Sequence, residues 1–132
     1  MTTQLPSSHL DLLDEPVVVM LATLMPDGRP QVTPVWCSRH GDEVWVNTAK
    51  GRQKDRNLRA RPFATIAATD PADAYRWLEI RADVAGIVEG QAAHDHINDL
   101  AQAYFGRPFR TNTPDEQRVI FKLRPTAVNT GG

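Results

Sequence analysis

The chain has 132 residues and a formal net charge of −1, with 15 Lys and Arg against 16 Asp and Glu. This length suits one domain with its own core, and we expect a single domain over residues 1–132. The near-neutral charge argues against a general nucleic-acid binder, and the longest apolar run, residues 17–22, is too short to span a bilayer. The single cysteine, Cys37, excludes an internal disulfide and fits a cytoplasmic location.

The first part of the chain alternates apolar strands with tight turns. After a short leucine-rich helix, residues 17–24 are rich in β-branched side chains and predict a buried strand. Turn signals then bound a second strand over 30–38 and a third over 43–48. Pro34 lies inside the second strand and cannot donate to a ladder, so it is predicted at an edge or a bulge. Such an interruption leaves backbone groups free to meet a ligand.

The second part adds two helices and three strands. A short helix is predicted after Gly51, with Leu58 facing the core, and a longer one over 92–105. Strands are predicted over the following segments: 63–69, 75–88 with a bend or bulge at Gly86, and 118–124. A polar loop is expected over 107–115, and the chain after 124 is expected to be unstructured. The pattern predicts a mainly β fold with α, a six-stranded antiparallel barrel with flanking helices.

One stretch concentrates positive charge. Between Lys50 and Arg61 stand six basic residues and one acid, Asp55. A strand, a polar turn and the start of a basic helix can seat an anion, because backbone N–H groups and the helix dipole point at the bound group. Arg and Lys side chains add charge-assisted hydrogen bonds. The alternative is a solvated basic helix, and charge alone leaves both interpretations open.

Histidine and cysteine give little sign of other chemistry. His94 and His96 would point about 200° apart on a helix, so they cannot easily share a metal, and we expect no metal site and a solvent-facing helix start. His9 and His40 are expected in surface turns. Cys37 has no His–acid pair arranged for it and is expected to be a buried spectator thiol.

Four motifs carry a family resemblance: LATLMPDGRP at 21–30, VTPVW at 32–36, TAKGRQKDRNL at 48–58 and YRWLEIR at 75–81. Their order and spacing resemble the pyridoxamine 5′-phosphate oxidase-like, FMN-binding split-barrel family. The chain is most similar to the branch that uses the deazaflavin coenzyme F420. The resemblance implies a split barrel and covers about residues 12–124.

The resemblance also implies roles for individual residues at the basic stretch. Arg52 and Lys54 match the family's basic residues that hold the cofactor phosphate. Thr48 and Asn57 fall in the same motif and are expected to support that contact.

Other matched residues concern the ring of the cofactor and the partner subunit. Thr33, Pro34 and Val35 match the strand whose backbone runs along the tricyclic ring. Trp77 lies where the family often has a residue that reaches a site shared between two subunits. The stretch at 36–40 is less acidic and less aromatic than is usual, so the outer wall of the pocket departs from the pattern.

Three functions follow as alternatives. The first is an F420-dependent reductase that transfers a hydride from the reduced deazaflavin to a small unsaturated or quinone-like substrate. The second is an FMN-dependent oxidase or reductase, and the third is a non-catalytic binding protein for F420 or another planar ligand such as haem. The basic motif and the lack of the extended C-terminal segment of true pyridoxamine phosphate oxidases favour the first. A homodimer with sites at its interface is expected, and no acid–base pair is obvious, as suits cofactor-borne hydride chemistry.

Overall fold

The computed structural model describes residues 3–110 and 115–132, so part of the predicted loop over 107–115 lies outside the described residues. After a 3-10 helix at Ser7–His9, the elements are α1 (Asp11–Asp14), β1 (Val19–Leu24), β2 (Pro30–Val35), β3 (Cys37–His40), β4 (Glu43–Ala49), α2 (Gln53–Ala60), β5 (Phe63–Asp70), β6 (Asp73–Glu89), α3 (Gln91–Phe105) and β7 (Arg118–Gly131). The strands form one sheet in the order β2-β1-β5-β6-β7-β4-β3, antiparallel throughout. The sheet curls into a split barrel, which confirms the predicted fold class.

The described strands number seven rather than the predicted six, because the second predicted strand is really two. β2 ends at Val35 and pairs with β1, whereas β3 begins at Cys37 and pairs with β4. Trp36 belongs to neither strand, and β2 and β3 form opposite edges of the sheet. We call this junction of the two edges at Trp36 the seam. Pro34 lies on an edge strand, as predicted, where its missing N–H costs no ladder hydrogen bond.

A second correction concerns the end of the chain. β7 continues to Gly131, although the sequence after residue 124 was expected to be unstructured. Its second half pairs with β6, from Ala82 opposite Pro125 to Trp77 opposite Gly131. The predicted bulge at Gly86 is confirmed by a register shift in the same ladder. Tertiary pairing therefore overrides the low strand propensity of this segment.

The helices pack on the sheet with their apolar faces. Leu58 of α2 is buried, as predicted, and it joins a core that includes Phe121 of β7 and Leu21 of β1. Burying a side chain of this kind contributes roughly 1.5–3 kcal/mol. The predicted end of α3 at Gly106 is confirmed, since this residue adopts the left-handed conformation with φ of 72°. No helix in the described part of the chain is long and apolar enough to cross a membrane.

Two histidines are buried, contrary to the prediction that they face solvent. His9 is 4% exposed, and its Nε2 lies 3.0 Å from the carbonyl oxygen of Gly131. His96 is 8% exposed and lies on the face of α3 that meets β4. Both side chains have hydrogen-bond partners inside the fold, and these offset the cost of burying a polar ring. The partners are distant in the chain, so the local sequence does not reveal the burial. The predicted burial of Cys37 is confirmed, and burial raises the pKa of its thiol to about 12.

The seam is tied to α3 by one tyrosine. The Tyr104 hydroxyl donates to the carbonyl oxygen of Val17 at 2.9 Å and accepts from the N–H of Cys37 at 3.3 Å. The Trp36 ring stacks on Tyr104 with a centroid distance of 5.3 Å and meets Phe105 edge-on. The same hydroxyl therefore ties the start of β3 to the segment that leads into β1, and the indole of Trp36 packs against the helix.

Candidate functional site

A cleft of about 430 Å³ opens beside the seam, within the size range of small-molecule sites. Its lining residues are of two chemical kinds. The apolar ones, which we call the apolar wall, are Val18, Pro34, Val35, Trp36, Ile97, Leu100 and Phe109. The polar ones, which we call the polar wall, are Asn47, Thr48, Arg52, Lys54, Arg110 and Arg118. This arrangement suits a ligand with a flat apolar body and an anionic end.

Lys54 is a half-buried cation of the cleft lining. It lies in the first turn of α2, and its Nζ donates to the Thr33 hydroxyl of β2 at 3.2 Å. Burial lowers the pKa of Lys54, and the positive charges of Arg52 and Arg118 lower it further. Each of these effects penalises the ammonium, so an anion bound beside it would be stabilised strongly.

Arg118 brings a second cation from β7, beneath Lys54 and Arg52. Its guanidinium lies 4.8 Å from the centroid of the Phe109 ring, and its Nη1 donates to Glu116 Oε1 at 2.9 Å. Arg52 Nη2 reaches the same oxygen at 3.5 Å. Burial lowers the pKa of Arg118 although Glu116 counteracts that shift. Arg52 and Arg118 thus share one carboxylate and Lys54 contacts none among the described residues, which leaves net positive charge at this end of the cleft.

The same end presents unused hydrogen-bonding groups. The Thr48 hydroxyl is buried in the cleft wall and has no hydrogen-bond partner among the described residues. Arg52, the N-cap residue of α2, makes no side-chain capping hydrogen bond, and Asp55 in the first turn accepts from the Gly51 N–H at 2.8 Å just before the helix. Uncapped N–H groups at a helix start and an unpartnered hydroxyl are suitable partners for phosphate oxygens. The residues present therefore fit the phosphate of a flavin or deazaflavin.

The structure brings most of the predicted site residues together. Pro34, Val35, Thr48, Arg52 and Lys54 all line the cleft, and Thr33 holds the Lys54 ammonium. Their assignment to cofactor binding stays a prediction.

Two predicted residues lie elsewhere in the chain. Asn57 is fully buried under α2, where its amide donates to the Thr23 hydroxyl at 3.0 Å and its oxygen accepts from Gln53 at 2.8 Å. It braces the basic helix and does not line the cleft. Trp77 lies on β6 against Gly131, is 36% exposed and does not line the cleft.

The sequence analysis missed Arg118 and Asn47. Both were read as ordinary strand residues, yet both are buried and line the cleft. A signal was present for Arg118, because an arginine that starts an otherwise apolar strand must find a buried partner or a ligand. Trp36, which was assigned to packing, both packs on α3 and forms part of the apolar wall.

Comparisons with known proteins agree with this geometry. A family model described as pyridoxamine 5′-phosphate oxidase matches residues 5–131. A solved structure named F420 Reductase is similar with a TM-score of 0.84 and 34% identity, covering 95% of this chain and 98% of that chain. A search of curated proteins finds no significant match.

Two further solved structures show likeness in fold alone. A conserved hypothetical protein from Mycobacterium tuberculosis has a TM-score of 0.72 at 22% identity, covering 98% of this chain and 89% of its own. HutZ, the haem storage protein from Vibrio cholerae, has a TM-score of 0.67 at 15% identity, covering 98% and 96%. The fold is thus shared by proteins whose names describe different ligands.

Proposed function

Because the chain belongs to the pyridoxamine 5′-phosphate oxidase family, we propose that it is an F420-dependent oxidoreductase. Its reaction is hydride transfer from the reduced deazaflavin to a small unsaturated or quinone-like substrate. The 34% identity to a protein named F420 Reductase supports the choice of cofactor. The reduced deazaflavin, when bound, supplies the hydride, so the protein needs to bind, orient and shield rather than to provide a nucleophile.

The observation that carries this proposal is the polarised cleft. One end of the cleft brings together Lys54, Arg52 and Arg118, and these cations contact one carboxylate among the described residues. The Thr48 hydroxyl at this end has no hydrogen-bond partner in the same part of the chain. These groups would hold the cofactor phosphate through charge-assisted hydrogen bonds.

The remaining wall would orient the ring and exclude water. Pro34 and Val35 belong to an edge strand, so one side of that backbone has no ladder partner and can approach a flat ring. Trp36 and Ile97 add apolar surface to the same wall. A dry, apolar setting for the ring strengthens electrostatic interactions at the phosphate end and positions the open face for substrate.

Parallel equilibrium titrations with F420 and FMN test the proposal. We expect F420 to bind more tightly, with a change in the absorption spectrum of the bound cofactor and turnover of a quinone by reduced F420. Equal or tighter binding of FMN would instead support an FMN-dependent oxidase or reductase on the same fold.

The third alternative, a haem-binding protein, has less support in the cleft. The residues that line it, within the described part of the chain, include no histidine, cysteine, methionine or tyrosine, which are the usual ligands of haem iron. Incubation with haem serves as a third arm of the titration. A haem complex with a defined Soret band and no F420 binding would replace the proposed function.

The proposal includes a homodimer with its sites at the subunit interface. An outer face beside the cleft carries Met20 at 41% and Val32 at 53% exposure, and it continues into Pro34 through the pairing of β1 with β2. Exposed apolar patches next to a site commonly mark an interface. Light scattering at micromolar concentration should give twice the chain mass of 14.7 kDa. A monomer that still binds F420 tightly would refute the dimer.

A further inference from the structure

A continuous line of hydrogen bonds runs from the cleft to the exposed side chain of His40. Arg118 Nε lies 2.9 Å from Asn47 Oδ1, and Asn47 Nδ2 lies 3.0 Å from His96 Nδ1. His96 Nε2 lies 2.8 Å from the Ser38 hydroxyl, which in turn lies 2.9 Å from His40 Nε2. Asn47, His96 and Arg118 are all buried, while His40 is exposed. Of these residues, only Arg118 has a role in the proposed function.

The orientation of the Asn47 amide is fixed by its neighbours. Its Nδ2 donates to the carbonyl oxygen of Ala93 at 2.9 Å as well as to His96, while its oxygen accepts from Arg118. Flipping the amide would place oxygen against the Ala93 carbonyl oxygen and N–H against the Arg118 N–H. Both contacts would then be repulsive, so only one orientation satisfies every group.

This orientation determines the tautomer of His96. Because Asn47 donates to Nδ1, that nitrogen carries a lone pair, and the neutral ring has its proton on Nε2. His96 therefore donates to the Ser38 hydroxyl. From Arg118 to Ser38, every hydrogen bond in the line is directed away from the cleft.

The same assignment excludes two catalytic interpretations. Ser38 cannot be activated as a nucleophile by His96, because a general base needs a lone pair, not a proton, facing the hydroxyl. The line cannot carry protons into the cleft either, since the Asn47 amide does not titrate in the physiological range. What remains is control of side-chain position.

We propose that His96 is a positioning residue for the cationic end of the cleft: its Nδ1 lone pair is the second of two acceptors that hold Asn47 Nδ2, and the Asn47 oxygen in turn holds the Arg118 guanidinium beside the phosphate seat. This inference rests on the proposed function for the identity of the anion. Nε of Arg118 is held by Asn47 and Nη1 by Glu116, so the plane of the guanidinium is set by two points. Loss of the first point would let that plane rotate about the second.

Two substitutions separate the two ends of the imidazole. His96→Asn places an amide oxygen near the former Nδ1, where it can still accept from Asn47. His96→Gln places its amide near the former Nε2, where it can meet Ser38, but it leaves the Ala93 carbonyl oxygen as the one remaining acceptor for Asn47 Nδ2. His94→Asn is the matched control, because His94 is exposed on the same helix.

The first readout is the exchange of the Arg118 Nε proton with water by NMR, which needs no cofactor. We expect exchange to be roughly 2- to 10-fold faster in His96→Gln, as suits the loss of one ordinary hydrogen bond, and unchanged in His96→Asn and His94→Asn. The second readout is F420 affinity, which should fall by a similar factor in His96→Gln alone. Imidazole ¹⁵N shifts of the unsubstituted protein should show the Nε2–H tautomer of His96.

The outcomes distinguish this inference from the function on which it rests. If the unsubstituted protein binds F420 and His96→Gln behaves like His96→Asn in both readouts, the positioning role is refuted while the proposed function stands. If the protein binds neither F420 nor FMN, the function fails, and the Arg118 exchange rates still decide the positioning role. If both variants misfold, the tautomer decides: an Nδ1–H form of His96 would overturn the inference, and an Nε2–H form would support it.

Discussion

Two clusters of basic side chains in this protein have opposite charge balance. Arg76 of β6 donates to two carboxylates, at 2.5 Å to Asp11 Oδ1 and 2.9 Å to Asp70 Oδ2, and also to the Ser8 carbonyl oxygen. In the cluster at the cleft, Arg52 and Arg118 share the carboxylate of Glu116, and Lys54 contacts no carboxylate among the described residues. The first cluster is satisfied within the chain and ties the N-terminal helices to the sheet. The second is left short of negative charge.

The difference teaches how to recognise a ligand site among charged residues. A basic side chain alone is weak evidence, since Arg76 is as basic as any residue at the cleft and serves the fold. Unbalanced charge combined with burial is stronger evidence, because a buried cation without an anion is costly. Lys54 meets this criterion, with a hydroxyl as its one hydrogen-bond partner in the described residues.

The largest expected effect comes from removing the least satisfied cation. Lys54→Ala should weaken F420 binding roughly 10- to 150-fold, because a hydrogen bond to a charged group contributes about 1.5–3 kcal/mol. The affinity of the unsubstituted protein should also fall with added salt, and the fall should be shallower for Lys54→Ala. Fluorescence titrations at low and high salt measure both quantities.

Arg56→Ala is the matched control for that experiment. Arg56 is exposed on the same helix and donates to the Gly51 carbonyl oxygen and to Gln53 Oε1, away from the cleft. It should cost less than about fivefold in affinity. A loss of binding in Arg56→Ala with none in Lys54→Ala would mean that the anion sits on the other side of α2. A thermal melt confirms that each variant is folded.

The stability contributed by His96, beside the cleft, should be lost at a higher pH than the stability contributed by the Arg76 cluster. Burial lowers the pKa of His96 to about 4, with His40 lowering it and Asp99 raising it, so the unfolded chain binds more protons between about pH 6.5 and 4. Stability is therefore lost as the pH falls through this window, by up to about 3 kcal/mol, and a folded His96→Asn variant should lose correspondingly less. Denaturant unfolding across the window measures the difference. Identical pH dependence in the two proteins would contradict the burial of a neutral His96.

The Arg76 cluster should respond at lower pH. The Arg76 hydrogen bond lowers the pKa of Asp11, and the Ala72 N–H together with Arg76 lowers that of Asp70. The stability from these carboxylates is present above their ordinary pKa of 3.8 and is lost below it. The acid limb of the unfolding profile should therefore have two stages, the first of which is reduced in His96→Asn.

The smallest expected effect on binding comes from the balanced cluster. Arg76→Ala should leave F420 affinity within about twofold, since such an ion pair acts locally and is screened by solvent. Its effect should appear as a lower melting temperature, because two carboxylates lose their shared cation. A drop in affinity as large as that of Lys54→Ala would show that charge balance does not separate structural from binding cations in this fold.

The sequence predicted local features better than distant pairing. Alternation and turn residues located β1, β4, β5 and β6, and the charge pattern located α2 with Leu58 facing inward. The sequence did not predict the division into β2 and β3 at Trp36, because the residues on both sides of Trp36 have a strand-like pattern. Which strand each of them pairs with depends on the arrangement of the whole sheet. The extension of β7 past Pro125 depends likewise on pairing with β6.

Cleft residues were predicted only where they lie in motifs that carry the family resemblance. Thr48, Arg52 and Lys54 belong to one such motif, and Pro34 and Val35 belong to another. Arg118 and His96 reach the same region from β7 and α3. Both are hydrogen-bonded to Asn47, which is 71 residues from Arg118 and 49 residues from His96 in the sequence. Such partnerships become visible only in the folded chain.

At the seam, the shape of the cleft does not depend on the ladder hydrogen bonds of the sheet. β2 and β3 are consecutive in the chain, yet each is hydrogen-bonded to one strand and neither to the other. Moving these two edges apart breaks no ladder hydrogen bond and works against the Tyr104 hydroxyl and the packing of Trp36. A substitution at Trp36 therefore reshapes the lining of the cleft without removing a ladder hydrogen bond of the barrel.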